Sequence, residues 1–245
     1  VGDSIGRGSG ASKNQNKWFH ILERKMLHSH QIHMKGDQIV QSGATAFEGL
    51  FRLQTQKADN LRKYDAIFIV FGENDRKYMS SDDFGLLYEA LIRAAKTKYP
   101  KAEIVTIIES SLTDQSFIDA IERLSRHYGT ANVNMADVYK KSGKTTEELT
   151  TDLVHPNDEG YKLYAEEIYA DMIDNTKLKK KIAELQPSLY ENTDIQFDVF
   201  ADFKNQKGFF KENEYYVSDK KGSYMEFSFY GSVLGIKLLR APDGG

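Results

Sequence analysis

Four short stretches of the chain carry the residue types that acyl chemistry needs. Ser4 stands in G-D-S-I (2–5), followed by the glycine-rich turn G-R-G-S-G (6–10), while Asp152 and His155 share D-L-V-H-P-N (152–157). A serine hydroxyl is a weak nucleophile until a base takes its proton, and an imidazole base works best when a carboxylate orients it. The tetrahedral adduct also needs donors aimed at its oxyanion. Gly43, in Q-S-G-A, and Asn74, in G-E-N-D (72–75), join Ser4 as candidates for that task. The spacing of Asp152 and His155 lets one loop present both groups with the carboxylate in reach of the ring. Pro156 then stiffens the exit, and Asn157 suits the cap of a following helix.

These stretches meet only if the intervening elements bring them to one edge. Residues 65–72 (DAIFIVFG) and 102–109 (AEIVTIIE) are β-branched, nearly continuous apolar runs, as expected of strands buried on both faces of a parallel sheet. Weaker strand candidates lie at 38–43 and 131–139. Helical periodicity is read at 17–28, 44–59, 82–98 and 114–127, and from Asn157 to about Met172. In 82–98, Phe84, Leu87 and Leu91 form one apolar face, Ser80 or Ser81 can cap it, and Asp82 and Asp83 occupy the first turn. Strand and helix alternate, which predicts a doubly wound α/β sandwich. All four motifs then fall in loops outside the carboxyl ends of the strands, where open α/β sheets assemble their sites.

The texture changes near Pro187. Short aromatic, partly alternating segments separated by Gly, Asn, Asp and Lys read as antiparallel β-structure. The expected organisation is a catalytic-type domain over 1–175, a lysine-rich connector over 176–188 and a β-rich accessory region over 189–245. Both ends read as abrupt, as though trimmed from a longer protein: only Val1, Gly2 and Asp3 precede Ser4, too few for the strand that should support it.

The four motifs together resemble the SGNH (GDSL-type) hydrolase family: G-D-S at 2–4, a glycine at Gly43, G-x-N-D at 72–75 and D-x-x-H at 152–155. The resemblance spans roughly residues 1–175 and leaves the tail unexplained. It implies a flavodoxin-like three-layer α/β/α sandwich with a parallel central sheet, to which the small C-terminal β-rich region is added. It also implies that Ser4 attacks the acyl carbonyl, that His155 serves as base and then acid, and that Asp152 orients the imidazole. The backbone N–H groups of Ser4 and Gly43 and the side-chain amide of Asn74 would form the oxyanion hole. The family's second motif usually has a richer glycine turn than QSGATA, so Ser42 either crowds or complements Gly43.

Other readings of the same residues are narrower. The 245 residues, 40% hydrophobic and 28% charged, with a net charge of -3, offer no basic footprint for nucleic acid. With no cysteine there are no disulfides or thiolate metal sites, and no apolar run is long enough to span a bilayer. G-R-G-S-G lacks the G-x-G-x-x-G and G-K-[ST] patterns, so it reads as a turn beside the nucleophile, with Arg7 solvated. His28, His30 and His33 lack carboxylate or cysteine partners and are not read as a metal site. Asp75 is expected to bond loop backbone, Trp18 to lie in a helix core, and the tail aromatics to form core, a few of them free to stack on sugar rings. The expectation is therefore a serine ester hydrolase working through an acyl-enzyme, without metal or organic cofactor. Its substrate would be a small acyl ester or an acetylated glycan, in an extracellular or cell-surface setting. The alternatives are an acyltransferase acting on sugar hydroxyls and a glycan-binding protein with an inactive hydrolase module; a lipase or thioesterase fits less well.

Overall fold

The computed structural model describes residues 1–56, 63–197, 203–213, 215–231 and 234–236. The chain divides into two units, Val1–Phe197 and Asp198–Gly245. The first is built on a parallel sheet of β1 (Ala66–Val70), β2 (Glu103–Ile108) and β3 (Ala131–Asn134), in that spatial order. The start of the chain continues this layer, because Gly2 forms parallel bridges to both Val70 and Val40. Across the layer the segments thus run residue 40, residue 2, β1, β2, β3. This is the second-first-third-fourth-fifth order of flavodoxin-like folds, in which the crevice opens where the order reverses, between the first and third segments.

Helices cover both faces. Ile67, Ile69, Ile104 and Ile108 bury against α3 (Ala46–Thr55), α4 (Ser81–Lys98) and α5 (Gln115–Tyr128). Val70, Val105, Ile107 and Val133 face the other way, toward a core that includes α1 (Ser4–Arg7), α2 (Trp18–His30), α6 (Met135–Ser142), α7 (Thr146–Leu149) and α8 (Asp158–Lys177). Successive strand residues point to opposite faces, so two apolar faces require an unbroken apolar run. Each such side chain, fully buried, contributes about 1.5–3 kcal/mol. The expected cap of α4 is present: Ser80 Oγ accepts the Asp83 N–H at 3.2 Å.

The structure departs from the sequence reading in four places. Residues 38–43 do not form a strand beyond the single bridge at Val40. The expected strand 131–139 stops at Asn134, whose side chain accepts the Asp137 N–H and caps α6; the cap overrides the β-branched residue Val138. Residues 178–188 of the expected connector and 189–197, the start of the expected β-rich region, carry neither helix nor strand and strap back over α4. Glu89 accepts the Leu189 and Tyr190 N–H groups at 2.6 and 2.8 Å, and Lys96 and Arg93 donate to the carbonyls of Ala183 and Gln186.

The fourth departure is in the second unit. The expected antiparallel structure is present, as β4 (Asn205–Lys207) with β7 (Tyr224–Glu226) and β5 (Phe210–Glu212) with β6 (Tyr215–Val217); the departure is in its aromatics. Phe203 packs edge-on against Tyr216 at 4.7 Å between ring centres, but Phe210, Tyr224, Phe229 and Tyr230 are exposed rather than core. Among the described residues, strands this short enclose no deep interior. Parts of the tail segments 195–203 and 233–239 lie outside the described residues, as do 57–59 of the expected helical stretch 44–59.

Candidate active site

Ser4 opens α1, a single helical turn at the crest of the sheet. Asp3 holds that turn: its Oδ1 accepts the N–H of Ile5 at 2.8 Å and of Gly6 at 3.4 Å. From α8, the Tyr161 hydroxyl donates to the carbonyls of Ser9 and Ile5 at 2.6 and 3.3 Å, and Trp18 Nε1 donates to that of Gly6. Gly2, bridged between two neighbours, and bonds from distant helices thus support the turn that carries Ser4.

The loop after α7 is shaped for its two functional groups. Thr150 and Pro156 bridge in antiparallel fashion, and the Thr151 N–H donates to the His155 carbonyl at 2.9 Å. Between them Leu153 adopts φ +68°, which turns the chain tightly enough for Asp152 Oδ1 to accept the N–H groups of Val154 (3.1 Å) and His155 (2.7 Å). The other oxygen, Oδ2, meets His155 Nδ1 at 2.7 Å, and His155 Nε2 meets Ser4 Oγ at 2.9 Å. These bonds, the His155 backbone N–H foremost, hold the Asp152 carboxyl below its usual range. Hydroxyl, imidazole and carboxylate therefore form one hydrogen-bonded sequence across 151 residues of chain.

The glycine turn has a steric duty here. Gly10 adopts φ +99°, and a Cβ there would run into the Pro156 carbonyl oxygen and lie 3.0 Å from His155 Cβ. Gly10→Ala should therefore push the histidine loop off Ser4. Its expected effects are a fall in kcat/KM of about 10²-fold, as for a 1 Å misplacement, and a loss of about 1–3 kcal/mol in stability. Steady-state kinetics and denaturant unfolding check both; parental kinetics would show that the loop tolerates the shift.

Gly43 and Asn74 are tied to the same crest. Gly43 adopts φ +79°, and among the described residues neither its N–H nor that of Ser4 has an acceptor. Beyond its own chain neighbours, a Cβ built on Gly43 meets nothing within 4 Å, so the turn is open on its outer side. Asn74 Nδ2 donates to Asp3 Oδ2 at 2.7 Å and to the Ala44 carbonyl at 3.2 Å, lying between the residue before Ser4 and the residue after Gly43. An oxyanion could take the longer of these bonds, not the shorter. Asp75 bonds backbone as expected, but in the neighbouring loop: its Oδ1 accepts the Ala46 N–H at 2.8 Å, at the start of α3. Among the described residues no group of His, Cys, Asp or Glu is arranged to hold a metal; His30 Nε2 instead pairs with the Tyr169 hydroxyl.

Sequence reasoning gave Asp3 and Glu109 no role beneath the crest and did not foresee the burial of Asp75. Asp3, Asp75 and Glu109 are all fully buried. Burial pushes Asp3 up to about 6, against bonds from Glu109 and the Ile5 and Gly6 N–H groups. It pushes Asp75 up to about 7, with Asp3's charge adding to the shift, and Glu109 well above the carboxyl range. The signal available was an acidic residue closing an apolar strand, as Glu109 closes IVTII.

The raised values carry a sign. A folded carboxyl with a pKa near 7 keeps a proton that the unfolded chain releases near 4, so stability falls as pH rises through that window. Between about pH 5 and pH 8 the melting temperature should drop, because each tenfold gain in proton affinity on folding is worth about 1.4 kcal/mol. Asp75→Asn keeps the acceptor for Ala46 and should flatten the drop. Melting curves at both pH values decide, and an unchanged slope in the variant would count against the buried-acid account.

Comparisons with known proteins bear on the family and the fold. The model of the GDSL-like lipase/acylhydrolase family matches residues 1–163. No curated protein matches the chain in sequence. Among solved structures, a two-domain esterase active on acetylated mannans, co-crystallised with mannopentaose, is 21% identical with a TM-score of 0.70. The match covers 91% of this chain and 64% of that one. A variant of the acetyl xylan esterase Axe2 from Geobacillus stearothermophilus is 16% identical with a TM-score of 0.57, over 76% of this chain and 94% of that one. The esterase EstA from Pseudoalteromonas sp., inhibited by monoethylphosphonate, is 18% identical with a TM-score of 0.56, over 72% and 96%. The chain thus spans under two thirds of the mannan esterase's length, and at these identities the likeness is one of fold. The family model, which covers most of the chain, adds to this: the chain belongs to the GDSL-like lipase/acylhydrolase family.

Proposed function

We propose that this chain hydrolyses carboxylic esters through a Ser4 acyl-enzyme, and that its substrates are O-acetylated carbohydrates. The observation that carries the chemistry is the relay from Ser4 Oγ through His155 to Asp152, with bonds of 2.9 and 2.7 Å. As Ser4 Oγ bonds to the acyl carbon, its proton passes to His155 Nε2, and Asp152 stabilises the imidazolium through Nδ1–H. The carbonyl oxygen, now an oxyanion, takes the N–H groups of Ser4 and Gly43 and one N–H of Asn74. Collapse breaks the ester C–O bond, and the leaving alkoxide takes the proton from His155. Water then attacks the acyl-enzyme, giving a proton to His155 that returns to Ser4 as acetate leaves. None of these steps calls for a metal or organic cofactor.

Fold likeness to esterases active on acetylated mannans and acetyl xylan supports the carbohydrate side of this reading. So does a second unit with exposed Phe210, Tyr224, Phe229 and Tyr230, since flat aromatic faces suit sugar rings. The test is acetate release from a panel of acetylated mannan, acetyl xylan and acetylated monosaccharides, measured for the parent and for Ser4→Ala. Ser4-dependent release from at least one glycan is expected. Hydrolysis of activated acetyl esters alone, with every glycan inert, would refute the carbohydrate assignment.

A further inference from the structure

We infer that Glu109 is a positioning residue for this reaction: by keeping a proton against Asp3, it holds the Asn74 amide with its N–H groups, not its carbonyl oxygen, toward the oxyanion site. The inference rests on the ester-hydrolase reading above.

Glu109 closes β2 beneath the crest and is fully buried. Its Oε2 accepts the Glu73 N–H at 2.7 Å. Its Oε1 is sealed from solvent without a hydrogen-bond partner, an orphan that a proton shared with the equally buried Asp3 carboxyl would satisfy, and each of these two carboxyls shifts the other's hold on a proton. Two buried carboxyls side by side cannot both ionise, so the pair keeps one proton.

The neighbouring groups decide where that proton sits. Asp3 already accepts from Ile5, Gly6 and Asn74, which makes it the better-satisfied anion. Glu73 turns its own carboxylate to Arg76 and Lys77 at 2.8 and 3.2 Å, and Asp75 is committed to Ala46. The proton therefore belongs on Glu109, with Asp3 ionised. An ionised carboxylate only accepts, so Asp3 fixes which end of the Asn74 amide faces it. Were Asp3 protonated, its hydroxyl would bond the amide oxygen just as well. The amide would then flip and set its carbonyl against the developing oxyanion.

Glu109→Gln preserves the arrangement: one amide end accepts from Glu73 and the other donates to Asp3. Glu109→Leu removes the donor. The test is kcat and KM on 4-nitrophenyl acetate for the parent, Ser4→Ala, Glu109→Gln, Glu109→Leu, Asn74→Ala and the Asn74→Ala/Glu109→Leu double variant. Asn74→Ala is expected to lower kcat by about 10²–10³-fold. Glu109→Leu should lower kcat by about tenfold or more with KM little changed, Glu109→Gln should restore it, and Leu should add almost nothing in the Asn74→Ala background, because coupled residues are not additive. If the Leu variant does not fold, Glu109→Asp takes its place, since it withdraws the carboxyl from Asp3, and the same kcat loss is expected. Parental kcat in the Leu or Asp variant, failure of Gln to rescue, or an equal loss in both backgrounds overturns the inference. Turnover that survives Ser4→Ala refutes the hydrolase reading and this inference with it; Ser4-dependent turnover indifferent to Glu109 refutes the inference alone.

Discussion

Ser4→Ala is expected to lower kcat for ester hydrolysis by about 10⁴-fold or more, leaving only what the oxyanion donors and substrate binding supply. Structure and stability should hardly change. The turn is held by Asp3 bonding Ile5 and Gly6 and by Tyr161 bonding Ser9, none of which uses the Ser4 hydroxyl. Among the described residues, the side-chain bond lost is the one to His155. Kinetics on an activated acetyl ester, with a melting curve as control, check both halves. A folded variant retaining a tenth of parental turnover would mean that some other group attacks the ester.

Asp152→Asn should be nearly as damaging despite the exposed position of that side chain. Asn retains an oxygen to accept the Val154 and His155 N–H groups, so the loop keeps its shape. Its amide, however, offers a donor to His155 Nδ1 where the carboxylate offered an acceptor. The ring is then driven into the tautomer that carries its proton on Nε2, facing Ser4 Oγ, and that nitrogen can no longer take the serine proton. A fall in kcat of about 10⁴-fold is expected with KM little changed. A loss of under tenfold would show that the carboxylate does not set the tautomer and that Ser4 is activated by some other means.

The fate of individual residues shows what the sequence made legible. That the side chains of Ser4, Asp152 and His155 meet could be anticipated because each lies in a short motif; Asp152 and His155 are paired by one tight loop. The sheet could be found because its strands are buried on both faces and so are apolar throughout. The stretch 131–139 was misleading because Asn134, a single capping side chain, ends the strand and begins a helix. By composition, residues 176–188 read as a connector and 189–197 as the start of a β-rich region. They lie against α4 because Glu89 and Lys96 are buried there and bond the strap's backbone, a partnership no periodicity reveals.

Asp3 and Glu109 were illegible for a deeper reason. Their role depends on a strand crossover that places residue 109 under residue 3, and on burial that leaves them one proton to share. Asn74 bonds both Asp3 and Ala44 because the first segment lies between Val40 and Val70 in the sheet. Spacing within a motif can name the groups that touch substrate. It says nothing of the groups that hold those in place from below.

The central claim is that Ser4 is a nucleophile primed by His155. Its most direct measurement is covalent labelling of the intact chain with a serine-directed alkyl phosphonate, followed by peptide mass analysis. The account predicts one equivalent of label, on the peptide containing Ser4, and its near-complete loss in His155→Ala. Label on another residue, or labelling of Ser4 that is indifferent to His155, would contradict it.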